Sequence, residues 1–538
     1  MSYPRSSTGL TFCGLEAAGR QLARAVLYSV LCVLLIGVLM LATPRSAAAA
    51  EPKFGGVLKA AMTANVPTLD PHAITAVSTR EVALHIFESL VTFDENFRII
   101  PQLAAKWDIS KDGKAYTFYL RKGVLFHNGK EMKAEDVLAS VERFRKYAPR
   151  RAELSVVAGI DIIDDYTIRF RLSQPTGAFL AVLGNPSCQL AIFPKEVVEN
   201  KELNKVDIVG TGPYRFVEWI PDRHVRIRRF DKYVPWGGPA SGLGGGRVAY
   251  LDEILFVPVP EPGARVAGLE TGEYDFADSI PPTSLPTLTK RSGLKMVQLK
   301  PYTYPIVYIN HARQFKNLKM RQALQAALNH EEIMLVVAEG AGRLDPGHYF
   351  REQIWHSDAG KELYNQNDAK KAKALLQEAG YKGEQIILVT NSDYDYMYKS
   401  ALVILQQLKK AGMNIKLEVY DYPGAVAARN TGNWDLYISS RSTRFDPTAN
   451  DWEYTASATF FGYNNPKAEQ LMKKAGAVVD FDERYQTYVE LQKLLYDDVC
   501  FIKLFDLHVN QGYQQYVQDY VPWVLPHFWN VWLDKPGR

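Results

Sequence analysis

Two arginines, Arg441 and Arg444, follow a hydrophobic segment in the stretch YISSRSTRFDPTANDWEY (437–454). Arginine keeps its positive charge at physiological pH and presents a planar set of N–H donors that suits carboxylate and phosphate oxygens. An Asp-Pro turn and Trp452 come after the pair. The stretch therefore predicts either an anion-binding site or a loop in which an arginine pairs with a nearby carboxylate. The acids available for such pairing are Asp446, Asp451 and Glu453.

Patterns typical of enzymes and metal sites are missing from the sequence. The segment NHEEIM has no second histidine four residues after His330, as a zinc-protease helix requires. The chain has no G-x-S-x-G, no C-x-x-C and no dinucleotide fingerprint, and its ten histidines are scattered. We therefore predict a protein that is not an enzyme and holds no metal or cofactor. A secreted enzyme with an unrecognised site is the alternative.

Composition and charge indicate a globular protein without an electrostatic reason to bind nucleic acid. The 538 residues are 47% hydrophobic and 23% charged, and this length suits two or three domains. The formal net charge is +4, but residues 1–50 hold four arginines and one glutamate, which leaves the remainder at +1. A nearly neutral body lacks the extended basic surface that nucleic acids attract.

The first fifty residues have the pattern of an export signal. Arginines precede the apolar run AVLYSVLCVLLIGVLMLA (25–42), and a tract of small residues suits cleavage before Glu51. The run is also long enough to stay as a membrane anchor, which is the alternative. We predict a cleaved signal peptide over 1–50 and a mature protein in the periplasm of a Gram-negative cell.

Two cysteines, Cys188 and Cys500, remain in the mature chain. In an oxidising compartment a disulfide between them would join distant segments. Two buried thiols are the alternative, because the sequence does not give the distance between the side chains. The sequence leaves both open.

The pattern of apolar residues changes after about residue 310. Before it, alternating runs such as YTIRFRL (166–172) predict half-buried strands. After it, helical patterns such as LKMRQALQAALNHEEIMLVVAEG (318–340) alternate with strands such as NWDLYISS (433–440). The segment CFIKLF (500–505) returns to strand character. We predict an α/β domain inserted into, or packed beside, a more β-rich one.

Several long stretches together resemble one family. TLDPHAITAVSTREVALHIFESLVTFD (68–94) precedes PQLAAKWDISKDGKAYTFYLRKGVLFHNGKEMKAEDVLASVER (101–143). GTGPYRFVEW (210–219) and INHARQFKNLKMRQALQAALNHEEI (309–333) follow in the expected order. Over nearly all of 55–535 the chain resembles the family 5 extracellular solute-binding proteins, the dipeptide, oligopeptide and nickel receptors of ABC importers.

The resemblance implies a two-lobed α/β receptor of the periplasmic-binding-protein (Venus-flytrap) type. Lobe I would comprise 51–298 and 500–538, with an extra β-rich subdomain at about 92–200, and lobe II would comprise 299–499. The family's function implies a monomer that captures a small solute between the lobes and delivers it to an ABC permease and ATPase complex in the inner membrane. A sensory or chaperone-like receptor on the same fold is a further alternative.

Three positions bear on which solute the resemblance implies. Peptide-binding members hold the ligand's amino group with an acidic residue shortly before the Asp-Pro, a position that falls on Arg444 or, counted back from the turn, on Thr443. The arginine that takes a dipeptide's carboxylate corresponds to Asn391, and a tryptophan after the strand corresponds to Arg441. An amino group beside Arg444 would be repelled. We therefore favour a solute that carries a carboxylate or similar anion, bound by Arg441, Arg444 or both, over a peptide-like one.

The remaining candidate contacts lie on both lobes. The candidate walls of the pocket are aromatic: Tyr422, Trp452 and Tyr394 or Tyr396. On lobe I, HAITAVST (72–79) resembles the segment that faces the cleft in the family and supplies Thr75 and Ser78 as hydrogen-bonding candidates. Ordinary loop or N-cap roles are the alternative for these two hydroxyls.

Overall fold

The computed structural model describes Met1, residues 51–449 and residues 460–535. The predicted signal peptide and Trp452 lie outside these described residues. The chain divides into two compact units, Met1–Pro52 and Lys53–Arg538. Every helix and strand given below belongs to the second unit.

Strands dominate the first part of the chain, and helices alternate with strands after about residue 310, as the sequence pattern predicts. The strands are β1 (Val57–Met62), β2 (Val91–Phe93), β3 (Ile99–Pro101), β4 (Ala104–Ile109), β5 (Ala115–Leu120), β6 (Val157–Asp164), β7 (Thr167–Leu172), β8 (Tyr214–Ile220), β9 (His224–Arg229), β10 (Glu253–Pro258), β11 (Phe276–Ala277), β12 (Leu294–Ile309), β13 (Gly342–Arg343), β14 (Ile386–Asn391), β15 (Ile415–Tyr420), β16 (Leu436–Ser442), β17 (Phe501–Lys503), β18 (Asp506–Gln514), β19 (Val517–Gln518) and β20 (Trp532–Leu533). The helices are α1 (Val77–Ile86), α2 (Ala134–Tyr147), α3 (Phe179–Leu183), α4 (Lys195–Val198), α5 (Pro262–Thr271), α6 (Leu285–Leu288), α7 (Leu318–Ala327), α8 (His330–Ala338), α9 (Ala369–Glu378), α10 (Asp395–Lys410), α11 (Tyr422–Asn430), α12 (Pro466–Ala477) and α13 (Phe481–Asp497). Within the described part of the chain, no helix has the length and apolar character that a membrane crossing needs.

The long strand β12 joins two halves of one mixed sheet. Among the described residues, the main path of this sheet runs β15–β14–β16–β12–β18–β11–β1–β10–β9–β8, with β13 on β18 and β17 on β12. The first part of β12 pairs with β18 from Leu294 to Thr303, and the later part pairs with β16 from Thr303 to Ile309. Because one strand serves both halves, Thr303 and its neighbours lie where the halves meet.

Helices cover both faces of the half that contains β14, β15 and β16. On one face, α7 and α10 contribute Leu324 and Ile404 to a core with Ile438 of β16. On the other face, α13 packs Leu491 against Tyr437. Successive residues of a strand point to opposite faces, so Ile438 and Tyr437 belong to different cores.

A separate four-stranded sheet, β4–β5–β7–β6, makes the first half β-rich. Its core includes α2 and draws on residues from Leu90 to Ile192. Strand β7 buries Ile168, Phe170 and Leu172 and leaves the residues between them exposed or half-buried, as its alternation predicts. This sheet lies inside the predicted subdomain, and the exact lobe boundaries remain a prediction.

The helical pattern at 318–340 forms two helices instead of one. Helix α7 ends at Ala327 and α8 begins at His330, with extended backbone between them. The Asn329 side chain accepts a hydrogen bond from the backbone N–H of Glu332 at 3.0 Å and so caps α8. A capping residue inside an apolar pattern marks a break that periodicity alone does not show.

Helix α10 forms where its apolar pattern predicts, but its buried face differs by one residue. The sequence suggests Leu402, Leu405 and Leu408 as the buried face, whereas the structure buries Ala401, Ile404 and Leu408. Leu402 is 38% exposed. A helix with 3.6 residues per turn repeats at i, i+3 and i+7, and the observed set has this spacing.

Candidate functional site

The predicted anion site lies where β16 ends against the crossover strand β12. Thr303 pairs with Ser442, and the backbone N–H and hydroxyl of Thr443 both donate to the Tyr302 carbonyl, at 3.0 and 2.9 Å. These bonds hold Arg444, the next residue, beside the strand that joins the two halves. A cleft between two joined halves is where a hinged receptor closes on its ligand.

Among the described residues, no acidic side chain pairs with the Arg444 guanidinium. Arg444 is half-buried, and within the described residues its side chain makes one hydrogen bond, from Nη1 to the Ser442 hydroxyl at 3.1 Å. Burial lowers the pKa of Arg444, and the nearby charges of Arg441 and Arg150 lower it further. A partly desolvated cation among like charges favours an anionic partner.

The Asp446 carboxylate is held by a different arginine. Nη1 and Nη2 of Arg484 donate to its two oxygens at 2.7 and 2.6 Å, and Nη1 also reaches the Gly177 carbonyl at 3.2 Å. Asp446 therefore pairs with Arg484 and with neither arginine of the predicted site. The other two acids considered as loop partners, Asp451 and Glu453, lie outside the described residues.

Arg441 lies inside the protein, where it is only 3% exposed. Its guanidinium carbon stands 4.5 Å from the centre of the Phe501 ring, and Nη1 donates to the Tyr304 hydroxyl at 3.2 Å. The Tyr304 hydroxyl in turn donates to the His348 carbonyl at 3.0 Å. Because these contacts pack Arg441 into the core, we keep only Arg444 for the proposed anion contact.

Tyrosines surround the end of β16. The Tyr394 and Tyr422 rings pack edge to face with centres 5.2 Å apart, and Tyr396 shares a hydrogen bond with the Ser440 hydroxyl at 2.9 Å. Tyr302 lies on the crossover strand β12. Burial, and to a lesser extent the nearby acidic groups, raise its pKa to about 12. Tyr302, Tyr394 and Tyr422 are 37% to 43% exposed. Their rings offer an apolar wall with polar tips to a bound solute.

The other predicted contacts lie in different environments. Asn391 is fully buried, and its side-chain oxygen accepts from the backbone N–H of Tyr394 at 3.0 Å. Ser78 is buried and donates to the Asn65 carbonyl at 2.8 Å. Thr75 is exposed just before α1. The Asn391 oxygen and the Ser78 hydroxyl are thus engaged within the protein.

Charged residues on α1 were missed by the sequence analysis. Arg80 and Glu81 lie at the start of this helix, and burial raises the pKa of the Glu81 carboxyl well above its ordinary value. The neighbouring Asp278 raises it further. Asp278 accepts a hydrogen bond from Gln511 Nε2 at 2.7 Å, and burial raises its pKa as well. Adjacent opposite charges within the helix, at Arg80 and Glu81, were the available signal.

Replacing Glu81 with glutamine is expected to raise thermal stability near pH 7 but not near pH 4. The pKa of this carboxyl group is about 4.5 in the unfolded chain and higher in the folded protein. Its contribution to stability is therefore fully present below pH 4.5 and is lost as the pH rises through the folded pKa. Glutamine keeps the shape without ionising. We expect a gain of about 1–3 °C near neutral pH, measured by differential scanning fluorimetry. The exposed Glu95→Gln variant is the control. The prediction is contradicted if the melting temperatures of Glu81→Gln and the native protein differ by the same amount at both pH values.

A cavity of about 720 Å³ is lined by residues of both halves and includes Asp446, but its lining does not include Arg444 or the exposed tyrosines. Its lining includes Arg150 and Asn185 from the β-rich half, and Asp446 and Lys473 from the other half. Small-molecule sites typically measure roughly 300–1,000 Å³. The cavity is therefore large enough to receive a small solute.

Groups considered for metal or redox chemistry do not come together in the structure. Among the described residues, no three His, Cys, Asp or Glu side chains could hold a metal ion. Cys188 and Cys500 are both buried free thiols, which decides against the disulfide. They lie in different hydrophobic cores, and burial raises the pKa of Cys188 to about 11.

A mixed sheet in two halves, with arginine and tyrosine side chains at their junction, is the architecture of a two-lobed solute receptor. The sequence profile of the bacterial extracellular solute-binding proteins, family 5 (middle region), matches residues 98–462, and the chain belongs to this family. The family and the fold class predicted from the sequence are thereby confirmed.

Relatives with named ligands are similar over most of the chain. A probable peptide ABC transporter periplasmic-binding protein, y4tO of Sinorhizobium fredii, is 28% identical over 492 residues, which cover 87% of this chain and 92% of that protein. The periplasmic binding protein DppA of Helicobacter pylori, solved in complex with the peptide STSA, is 27% identical with a TM-score of 0.70 and covers 90% of this chain and 99% of that one. The binding protein AgaA of A. tumefaciens R10, in complex with agropinic acid, is 25% identical with a TM-score of 0.70 and covers 90% and 99%.

Proposed function

We propose that this protein is the periplasmic receptor of an ABC importer, which captures a small solute between its two lobes and delivers it to a membrane permease. Family membership and the name of the Sinorhizobium relative support the transport role. We take lobe I as 51–298 with 500–538, and lobe II as 299–499. Closure on the solute requires contacts that the solute makes better in the closed than in the open state.

We further propose that the solute carries a carboxylate or similar anion, and Arg444 is the observation that carries this proposal. Its guanidinium lies beside the crossover strand with a hydroxyl as its described hydrogen-bond partner. A carboxylate there gains charge-assisted and bidentate hydrogen bonds, whereas the amino group of a peptide is repelled by several kcal/mol. Agropinic acid, the ligand of AgaA, is named as an acid, which agrees with this choice.

The exposed tyrosines supply the rest of the proposed pocket. Tyr394 and Tyr422 lie on the lobe II side, and Tyr302 lies on the crossover. Their rings cover an apolar part of the solute, and their hydroxyls bond to its polar groups. Trp452 remains a predicted wall residue outside the described part of the chain.

Native mass spectrometry of the protein purified from its own periplasm tests this function. We expect a retained small molecule that bears a carboxylate or another anionic group. A thermal-shift panel of organic acids, peptides and sugars complements it, because a ligand that binds only the native state raises the melting temperature. Retention of a neutral sugar would overturn the choice of solute. Stabilisation only by ligands that carry an amino group and no acidic group would overturn it as well.

A further inference from the structure

Arg80 of α1 is a second guanidinium that forms no ion pair with an acidic side chain in the described part of the chain. Its Nε is buried, and no acceptor among the described residues bonds to it. Glu81 is its neighbour in sequence, but the two form no ion pair within the described part of the chain. Burial lowers the pKa of Arg80 to about 10, and the positive charges of Arg444 and Arg150 contribute to that shift.

Packing brings α1 against the segment that carries Arg444. Leu84, one helical turn after Arg80 and on the same face, belongs to a buried cluster that also contains Phe445. The Phe445 ring lies 4.8 Å from the Phe93 ring, so this segment is seated in the other half of the molecule. Arg444 is the residue next to Phe445. Arg80 and Arg444 therefore lie on segments that pack together, close enough for the charge of Arg444 to contribute to the lowered pKa of Arg80.

No described acid forms an ion pair with either guanidinium, although the Glu81 carboxyl acts against the lowering of the Arg80 pKa. The Arg150 side chain is hydrogen-bonded to Glu153, so its charge is compensated. The Glu81 carboxyl has a raised pKa because of burial and Asp278, which disfavours its charged form. Two partly desolvated guanidiniums of like charge repel each other unless an anion lies between them.

We propose that Arg80 and Arg444 together hold one doubly charged oxyanion of the solute, a phosphoryl group or a close pair of carboxylates, across the cleft. This inference rests on the proposed receptor function and narrows its solute from an anion to a dianion. Each guanidinium presents a planar fork that suits two oxygens. The dianion also offsets the repulsion between the two guanidiniums, which lie on different lobes. Its binding therefore favours the closed arrangement.

Isothermal titration calorimetry with small anions tests the proposal. The probes are inorganic phosphate and malonate, with acetate as the singly charged comparison, all at equal ionic strength because salt screens such contacts. We expect the full-length mature protein to bind phosphate or malonate more tightly than acetate. Arg80→Gln and Arg444→Gln are each expected to weaken the binding of the dianion by about 10- to 100-fold. Arg223→Gln, at an exposed arginine, is the matched control and is expected to bind as the native protein does.

The outcomes separate this inference from the receptor function. If Arg80→Gln keeps the preference for dianions while Arg444→Gln loses anion binding, the two-arginine site is wrong and the carboxylate receptor stands. If both variants bind as the native protein does, the two-arginine site and the proposed Arg444 contact are both wrong, and the receptor function stands without them. Binding of acetate as tightly as phosphate and malonate, or no binding of either dianion, overturns the inference directly.

Discussion

Replacing Arg484 with methionine is expected to lower the free energy of unfolding by about 3–5 kcal/mol. The guanidinium bonds to both oxygens of Asp446, and its Nε donates to the Ala475 carbonyl at 2.9 Å. Both charged side chains are buried, at 3% and 10% exposure. Truncating the arginine leaves a buried carboxylate without its counter-charge, which is the costly part. Urea unfolding followed by circular dichroism measures the loss.

The double variant Arg484→Met with Asp446→Leu separates the ion pair from simple packing. Removing both charges abolishes the uncompensated carboxylate, so we expect the double variant to be more stable than Arg484→Met alone. A double variant that is less stable than the single one would contradict this explanation. Since Asp446 lies two residues after Arg444, the single variant is also expected to weaken solute binding by loosening the turn that holds Arg444.

Replacing Arg444 with alanine is expected to weaken binding of the native ligand by about 30-fold or more, equivalent to at least ~2 kcal/mol. The loss arises because an anionic group in the cleft would lose its charge-assisted hydrogen bonds while remaining partly desolvated. Isothermal titration calorimetry with the ligand recovered from the periplasm measures the effect. Unfolding curves of the free protein check that the fold is kept.

Ser442→Ala is the matched control for Arg444→Ala. It removes the described hydrogen-bond partner of the Arg444 side chain, at 3.1 Å, without touching the charge. We expect an affinity change of less than about fivefold, because a single exposed hydrogen bond contributes about 1 kcal/mol or less. Unchanged affinity in Arg444→Ala would end the direct role of this arginine.

Local patterns predicted most helices and strands because burial on one face leaves a periodic trace in the sequence. Strand β7 alternates as expected, and α10 lies where its apolar residues indicate. Prediction was weaker where two signals compete, as at Asn329, whose capping bond divides 318–340 into α7 and α8. The buried face of α10 could be assigned only from the elements that pack against it, because two apolar faces one residue apart look alike in sequence.

The residues of the candidate site remain predictions, and the structure shows where those among the described residues lie. Arg444 was singled out from its position after a strand and before the Asp-Pro, and the structure places it beside the crossover. Arg441 belongs to the same sequence pattern, yet the structure packs it against Phe501. Arg80 had no sequence signal linking it to Arg444, because the two residues are 364 positions apart and only their neighbours Leu84 and Phe445 share a buried cluster.

The sequence by itself determined the family, the α/β class and the absence of recognisable catalytic motifs, since these depend on local order and on residue types. Only the tertiary structure decided which charges remain uncompensated. Asp446 could pair with any nearby arginine as far as the sequence shows, and folding assigns it to Arg484. Electrostatic pairing depends on distance and burial, which long-range packing sets, and for this reason we propose Arg444 and Arg80 as the charges that meet a solute.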